Sequence, residues 1–360
     1  MRFTLIIWMI CFISGRSQNI KLRPLADTVG FAHTAQQMDS VVKRILRMQE
    51  KTLLQKRKDG GVGHETVFKT VIAPHDDYTY AGYMYPLALQ NIKAKTIILF
   101  GVAHKAKTLN LENQLVFDSY THWRGPYGKV KVSALREEII SQLPKGIYQV
   151  NDTMQKIEHS VEAEIPFLQY YNRKVEIISI LVPYMSIDTM EKFSVPLANA
   201  IAKVMEKNNL KWGKDIAIVI SADAVHYGDE EWGGRNFAFY GADSAGYKKA
   251  VEHEYEIMTN CFNKGLHIPN IELFADYTVK DANYKEYEWT WCGRYSVPMG
   301  LLISYYLCEV LKMPTLQGKI LGYETSLSNK SIPVKDLGGM GTTAIAIIRH
   351  WVGYPAIGFK

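Results

Sequence analysis

Four near-continuous apolar runs constrain this chain more than any other feature: Val67 to Ala73, Thr96 to Val102, Val175 to Val182 and Asp215 to Ile220. Each has the length of a strand and is apolar on both faces, as a strand covered from both sides must be. Amphipathic stretches alternate with them. Ser40 to Lys56 places Val41, Ile45, Met48 and Leu53 on one stripe, and Met190 to Lys207 does the same with Phe193, Leu197, Ile201 and Val204. Leu87 to Ile92, Ala134 to Leu143, Val161 to Tyr171, Ala242 to Lys264 and Ser296 to Lys312 read as further helices. Pro166 then needs a turn or kink, Pro298 fits a first turn, and Ser296 suits an N-cap. Leu115 to Tyr120 and Lys129 to Val132 read as shorter strands, and Thr342 to Arg349 as the one that closes the sheet. This alternation predicts an α/β protein with a central, mainly parallel or mixed sheet covered by helices on both faces. No repeat, low-complexity tract or linker interrupts it, so residues 19–360 are expected to form a single domain.

The 360 residues are enough for a sizeable core, and 47% apolar with 22% charged residues is an ordinary globular balance. A net charge of +6 is modest, and the one basic cluster, Lys51 to Lys58, falls on an expected surface helix. Nucleic acid and membrane surfaces are therefore not expected partners. At the N-terminus Arg2 precedes the apolar run Phe3 to Ile13, and Ser14, Gly15 and Ser17 follow. That order marks residues 1–18 as a signal peptide, so export to the periplasm or outside is expected. The run is too short to span a bilayer. Three cysteines would remain, Cys261, Cys292 and Cys308, an odd number that is no disulfide framework.

The chemistry concentrates where the apolar runs stop. The first is followed by Pro74 and then His75, Asp76 and Asp77; the second runs out at His104; the fourth leads into Asp223 and His226. A lone histidine after a strand is by default a structural group. Three such ends in one sheet point instead to the crevice beyond the carboxyl ends of the strands, where open α/β sheets bind ligands. His159, in the segment Glu158 to Glu164, fits either a polar helix start or a further residue of that crevice. Cys292 precedes the Ser296 helix and Arg294, both of which favour a thiolate. Cys308 lies on an apolar helix face and reads as core, whereas Cys261 at a helix end fits either role.

Together these residues form a resemblance. The stretches Ala73 to Gly82, Gly101 to His104, His159 to Glu162, Ser221 to Gly228 and Cys292 to Arg294 occur in the order seen in the Memo family, which includes proteins like AmmeMemoRadiSam system protein B. The resemblance runs from about Gly30 to Ala346. It implies a fold like that of the class III extradiol dioxygenases and a metal held by His75, His104 and Cys292. His159, Asp223 and His226 would then line the same pocket as catalytic residues, with Asp76, Asp77, Glu162 and Arg294 around them. Iron or copper is the metal the family implies. Three positions depart from the family: Asp76-Asp77 replaces the usual Ala-Gly, Lys105 replaces a second His, and Val225 stands where Cys is frequent. The ligand positions survive while the pocket wall changes charge, so a different substrate is expected.

Two His and a thiolate suit Fe(II), Cu or Zn, and a third ligand drawn from Asp76, Asp223 or Glu162 would favour non-haem Fe(II). Asp223 beside His226 reads as an orienting pair for a proton relay. The function expected is a metal-dependent redox enzyme acting on a small molecule or an oxygen species. The alternatives are a non-catalytic module binding metal or a peptide or protein ligand, and a metal-assisted hydrolase. The aromatic segment Trp232 to Tyr240 is expected to cover one rim of the pocket.

Overall fold

A computed structural model describes residues 19–360; the expected signal segment lies outside the described residues. The four apolar runs form β1 (Thr70–Ala73), β2 (Thr96–Val102), β3 (Glu176–Val182) and β4 (Ile216–Ser221). These pair in parallel in the order β3, β2, β4, β1 at the centre of a 12-stranded sheet. Three further strands extend it on the β1 side, β5 (His226–Gly228), β6 (Gly318–Thr325) and β7 (His350–Phe359). All three joins are antiparallel: β7 pairs with β1, with β5 and with β6, which makes the sheet mixed.

Alternation along the central strands feeds two separate cores. Ile98 and Phe100 of β2, with Ile216, Ile218 and Ile220 of β4, face one; Ile97 and Leu99, with Ala217 and Val219, face the other. The helices that close the second core include α1 (Ala35–Asp59), α2 (Tyr78–Ala81), α3 (Met84–Leu89) and α4 (Ile165–Tyr171). The first core is closed by α5 (Ile187–Lys207), α6 (Ser244–Phe262) and α7 (Ser296–Leu311). Burial on both faces is the reason the strands carry no polar alternation. None of the described helices is long and apolar enough to cross a membrane.

Several expectations need correction. Residues 342–349 are not the closing strand; that strand is β7, which is buried throughout. Gly353, Pro355 and Gly358 disguise it as a loop in the sequence. Pro355 is tolerated because only β6 pairs with it: β5 covers 350–352 and β1 covers 357–359, which leaves its missing N–H in the gap between them. Helix α4 begins at Ile165, so Pro166 falls in its first turn and no kink is needed. Ser296 is the first helical residue, not the cap, and its hydroxyl donates to the Ser221 carbonyl at 3.0 Å. That bond ties α7 to the end of β4.

Candidate metal centre

His75 leaves the sheet immediately after β1 and Pro74, and its ring is buried. Its Nδ1 lies 2.8 Å from the Ser221 hydroxyl, which itself donates to the Ser160 carbonyl at 2.7 Å. With the hydroxyl proton committed, Ser221 accepts from Nδ1–H, and Nε2 keeps its lone pair. That Nε2 stands 3.3 Å from Cys292 Sγ and 3.4 Å from Asp223 Oδ2. Burial, followed by the neighbouring rings of His104, His159 and His226, holds His75 well below the usual histidine range. Its ring is therefore neutral, as a metal ligand would need to be.

A second histidine is held in the same manner. The His104 N–H donates to Glu158 Oε2 at 2.8 Å, and Nδ1 donates to Oε1 at 2.8 Å, leaving Nε2 free. Glu158 is fully buried and also accepts the Ser160 N–H at 2.9 Å. Burial pushes its carboxyl up, but the His104 ring, its hydrogen bond and His159 outweigh this and hold it at about 2. An ionised carboxylate on the far nitrogen fixes the tautomer and raises basicity at the near one, the usual support of a metal-ligating histidine. His159 stacks on His104 with ring centroids 4.7 Å apart and meets His75 edge-on at 5.6 Å. Burial, then the charge of His104, takes His159 down to about 4.

Two glycines let the chain segments approach this closely. A Cβ at Gly101 in β2 would meet Val161 Cγ1 at 2.5 Å and Ser160 Oγ at 2.8 Å, which lets the His159 segment lie against the strand. A Cβ at Gly293 would meet the Ala222 Cβ at 2.2 Å, so glycine lets the Cys292 turn press on the end of β4. There Cys292 Sγ accepts the Asp223 N–H at 3.2 Å.

Ligand atoms converge in two sets with a shared vertex: His75, His104 and His159 in one, His75, Asp223 and Cys292 in the other. The trio His75, His104 and Cys292 is not itself one of these sets. The donor set of imidazole, thiol and carboxylate is that of a transition-metal site. The cavity it borders measures about 730 Å³ and is also lined by Asp76, Asp77, Lys105, His226, Trp232 and His350.

The remaining expected residues divide. Asp76 and Asp77 do face the cavity, yet both are engaged. Asp76 Oδ2 accepts the Tyr354 hydroxyl at 2.5 Å, and Asp77 accepts the Thr343 N–H at 2.5 Å and the Thr343 hydroxyl at 3.1 Å. Burial and then the Asp76 charge lift Asp77 to about 7. Asp223 does not orient His226. Its Oδ1 accepts the His75 N–H at 2.9 Å, and residues three apart in extended chain face opposite ways. His226 instead tilts against Trp232 with centroids at 5.3 Å, and burial first, then His104, puts it at about 3. Trp232 alone of its aromatic segment lines the cavity; Phe239 and Tyr240 pack on Trp289.

Two expectations fail outright. Glu162 is no candidate ligand, because it forms a buried ion pair with Arg23 and accepts the Ala26 and Asp27 N–H groups. The thiolate argument for Cys292 also fails. Burial and then the Asp223 carboxylate push its thiol well up, Arg294 opposes this only weakly, and α7 begins four residues later. Cys261 and Cys308 are buried, unpaired thiols in the first core. Ser221, Glu158, His350 and Tyr354 were not given a site role from the sequence. Glu158 had a signal, being a carboxylate next to His159, but its partner His104 lies 54 residues away in the chain.

An α/β sheet with imidazole, thiol and carboxylate groups converging beyond its strand ends defines a candidate metal-site protein of the strand-end crevice type. A family model described as "Memo-like protein" matches residues 31–337, and the chain belongs to that family. It is 27% identical to a MEMO1 family protein of Pyrococcus abyssi over 274 residues, 74% of this chain and 83% of the relative. A MEMO1 family protein of Pyrococcus horikoshii is 25% identical over 280 residues, 76% of this chain and 86% of the relative.

Proposed function

We propose that the cluster holds one redox-active transition-metal ion, iron or copper, and that the protein is a metal-dependent redox enzyme acting on a small molecule or an oxygen species. The observation that carries this reading is the paired locking of His75 by Ser221 and His104 by Glu158 through their Nδ1 atoms, which leaves both Nε2 atoms without a fixed partner at one cavity, His75 Nε2 beside Cys292. His75, His104 and Cys292 would hold the ion, with His159 and Asp223 next to it. Kinship with the class III extradiol dioxygenases belongs to the same proposal. When bound, the metal supplies electron transfer and activation of substrate or oxygen.

The protein's own groups do the rest. His226 Nε2 is buried without a partner in the cavity wall, free to take or give a proton at a substrate oxygen. Asp76, Asp77 and Lys105 line the same cavity and set which substrates enter. Metal analysis of protein purified under anaerobic conditions tests the proposal. Near-stoichiometric iron or copper is expected, lost in His75→Ala, His104→Ala and Cys292→Ser while the fold is kept, and retained with altered turnover in His226→Ala. Metal retained by all three ligand variants contradicts the assignment. Oxygen uptake by the loaded protein with a catechol panel separates a redox enzyme from a module that only binds.

A further inference from the structure

Next to the small chamber that Cys292 borders lies a second cleft, and it is built differently. A chamber of about 80 Å³ bordered by His104, Cys292, Tyr184, Tyr287 and Arg294 adjoins a cleft of about 500 Å³. Arg294, Tyr184 and Tyr287 border both spaces. Arg294 is only 5% exposed. Its guanidinium sits over the rings of Tyr287 at 3.6 Å, Tyr295 at 4.6 Å and Tyr184 at 5.8 Å. Its Nη2 donates to the Lys285 carbonyl at 3.3 Å, while Nε has no partner. Among the described residues no carboxylate pairs with it; the groups packed against it are neutral phenols, Tyr287 and Tyr295.

A buried cation without a counter-ion is costly unless an anion completes it. The cleft is suited to bring one. Exposed Lys107, Arg235 and Lys285 surround it, against Glu112 and Glu286, and Lys285 is already paired with Glu112. We propose that this cleft binds a small organic carboxylate, with Arg294 as its buried anchor and Tyr184, Tyr287 and Leu111 as walls for the carbon skeleton. A planar carboxylate matches a guanidinium edge, and the aromatic walls favour a carbon frame over a bare, strongly hydrated phosphate. The site stands apart from the metal proposal, since none of its anchoring groups is a metal ligand.

The test is calorimetric titration of the metal-free and metal-loaded protein with benzoate, and separately with inorganic phosphate, at low ionic strength. Saturable benzoate binding in both forms, weakened at least tenfold in Arg294→Gln and several-fold in Lys107→Gln and Arg235→Gln, is the expected result. The two surface variants leave the core untouched and keep the proposal testable if Arg294→Gln does not fold. Absence of saturation, phosphate binding more tightly than benzoate, or benzoate binding unchanged in Lys107→Gln and Arg235→Gln, overturns it.

Discussion

His75 and His104 owe their availability to groups that never face the cavity. Ser221 and Glu158 each occupy the Nδ1 side of one ring, so their removal should be felt at the metal and not in the fold. Supporting partners of metal-bound histidines are worth about 10–100-fold in affinity. Glu158→Gln is expected to weaken metal binding by about that factor with little change in secondary structure, as read by competition with a chromogenic chelator. Affinity equal to that of the parent protein would mean that His104 is not a ligand. A second residue-scale prediction concerns Glu254, buried under Trp289 and Trp291, whose indole N–H groups both donate to its Oε1. Burial lifts this carboxyl to about 7, above its ordinary value of 4.5. Between those two values the folded state keeps a proton that the unfolded chain releases. This group's contribution to stability is therefore full at the acid end and falls as pH rises through that window, by on the order of 3 kcal/mol. Glu254→Gln keeps an acceptor for the indoles and cannot ionise, so its melting temperature should lose that part of the decline between pH 5 and 7. An identical decline in both proteins would mean the carboxyl is ionised throughout.

At the scale of elements, glycine sets the spacing between strand ends and the turns that bring side chains to them. Gly293→Ala places a Cβ against Ala222 and pushes the Cys292 turn away from β4. Overpacking of this kind costs about 1–3 kcal/mol, so a lowered melting temperature together with loss of bound metal is expected. Unchanged metal content in a folded Gly293→Ala would show that the turn needs no such approach. The central strands and their helices were legible because burial on both faces leaves an unbroken apolar run. β7 was not legible, because its Gly and Pro residues are tolerated only through the division of its two partners, a fact of register that no local window contains. The strand-end residues were legible one by one as His75, His104, Asp223 and His226, but their pairings were not. Asp223 meets His75 across 148 residues and Glu158 meets His104 across 54, and sequence proximity had suggested Asp223 with His226 instead. Glu162 was misplaced for a related reason: its partner Arg23 lies 139 residues earlier in the chain.

For the molecule as a whole, one sheet separates two cores and gathers its chemistry at its strand ends, where Cys292 borders a small chamber shared by His104 of the cavity and Arg294 of the cleft. Cys292 is thus the residue on which the metal account turns: buried and protonated without an ion, and a thiolate once a metal is bound. X-ray absorption spectroscopy of the iron- or copper-loaded protein reads this directly. One sulfur ligand beside imidazole nitrogens is predicted, with the sulfur contribution gone in Cys292→Ser. A coordination shell of nitrogen and oxygen alone, unchanged in Cys292→Ser, would contradict the account.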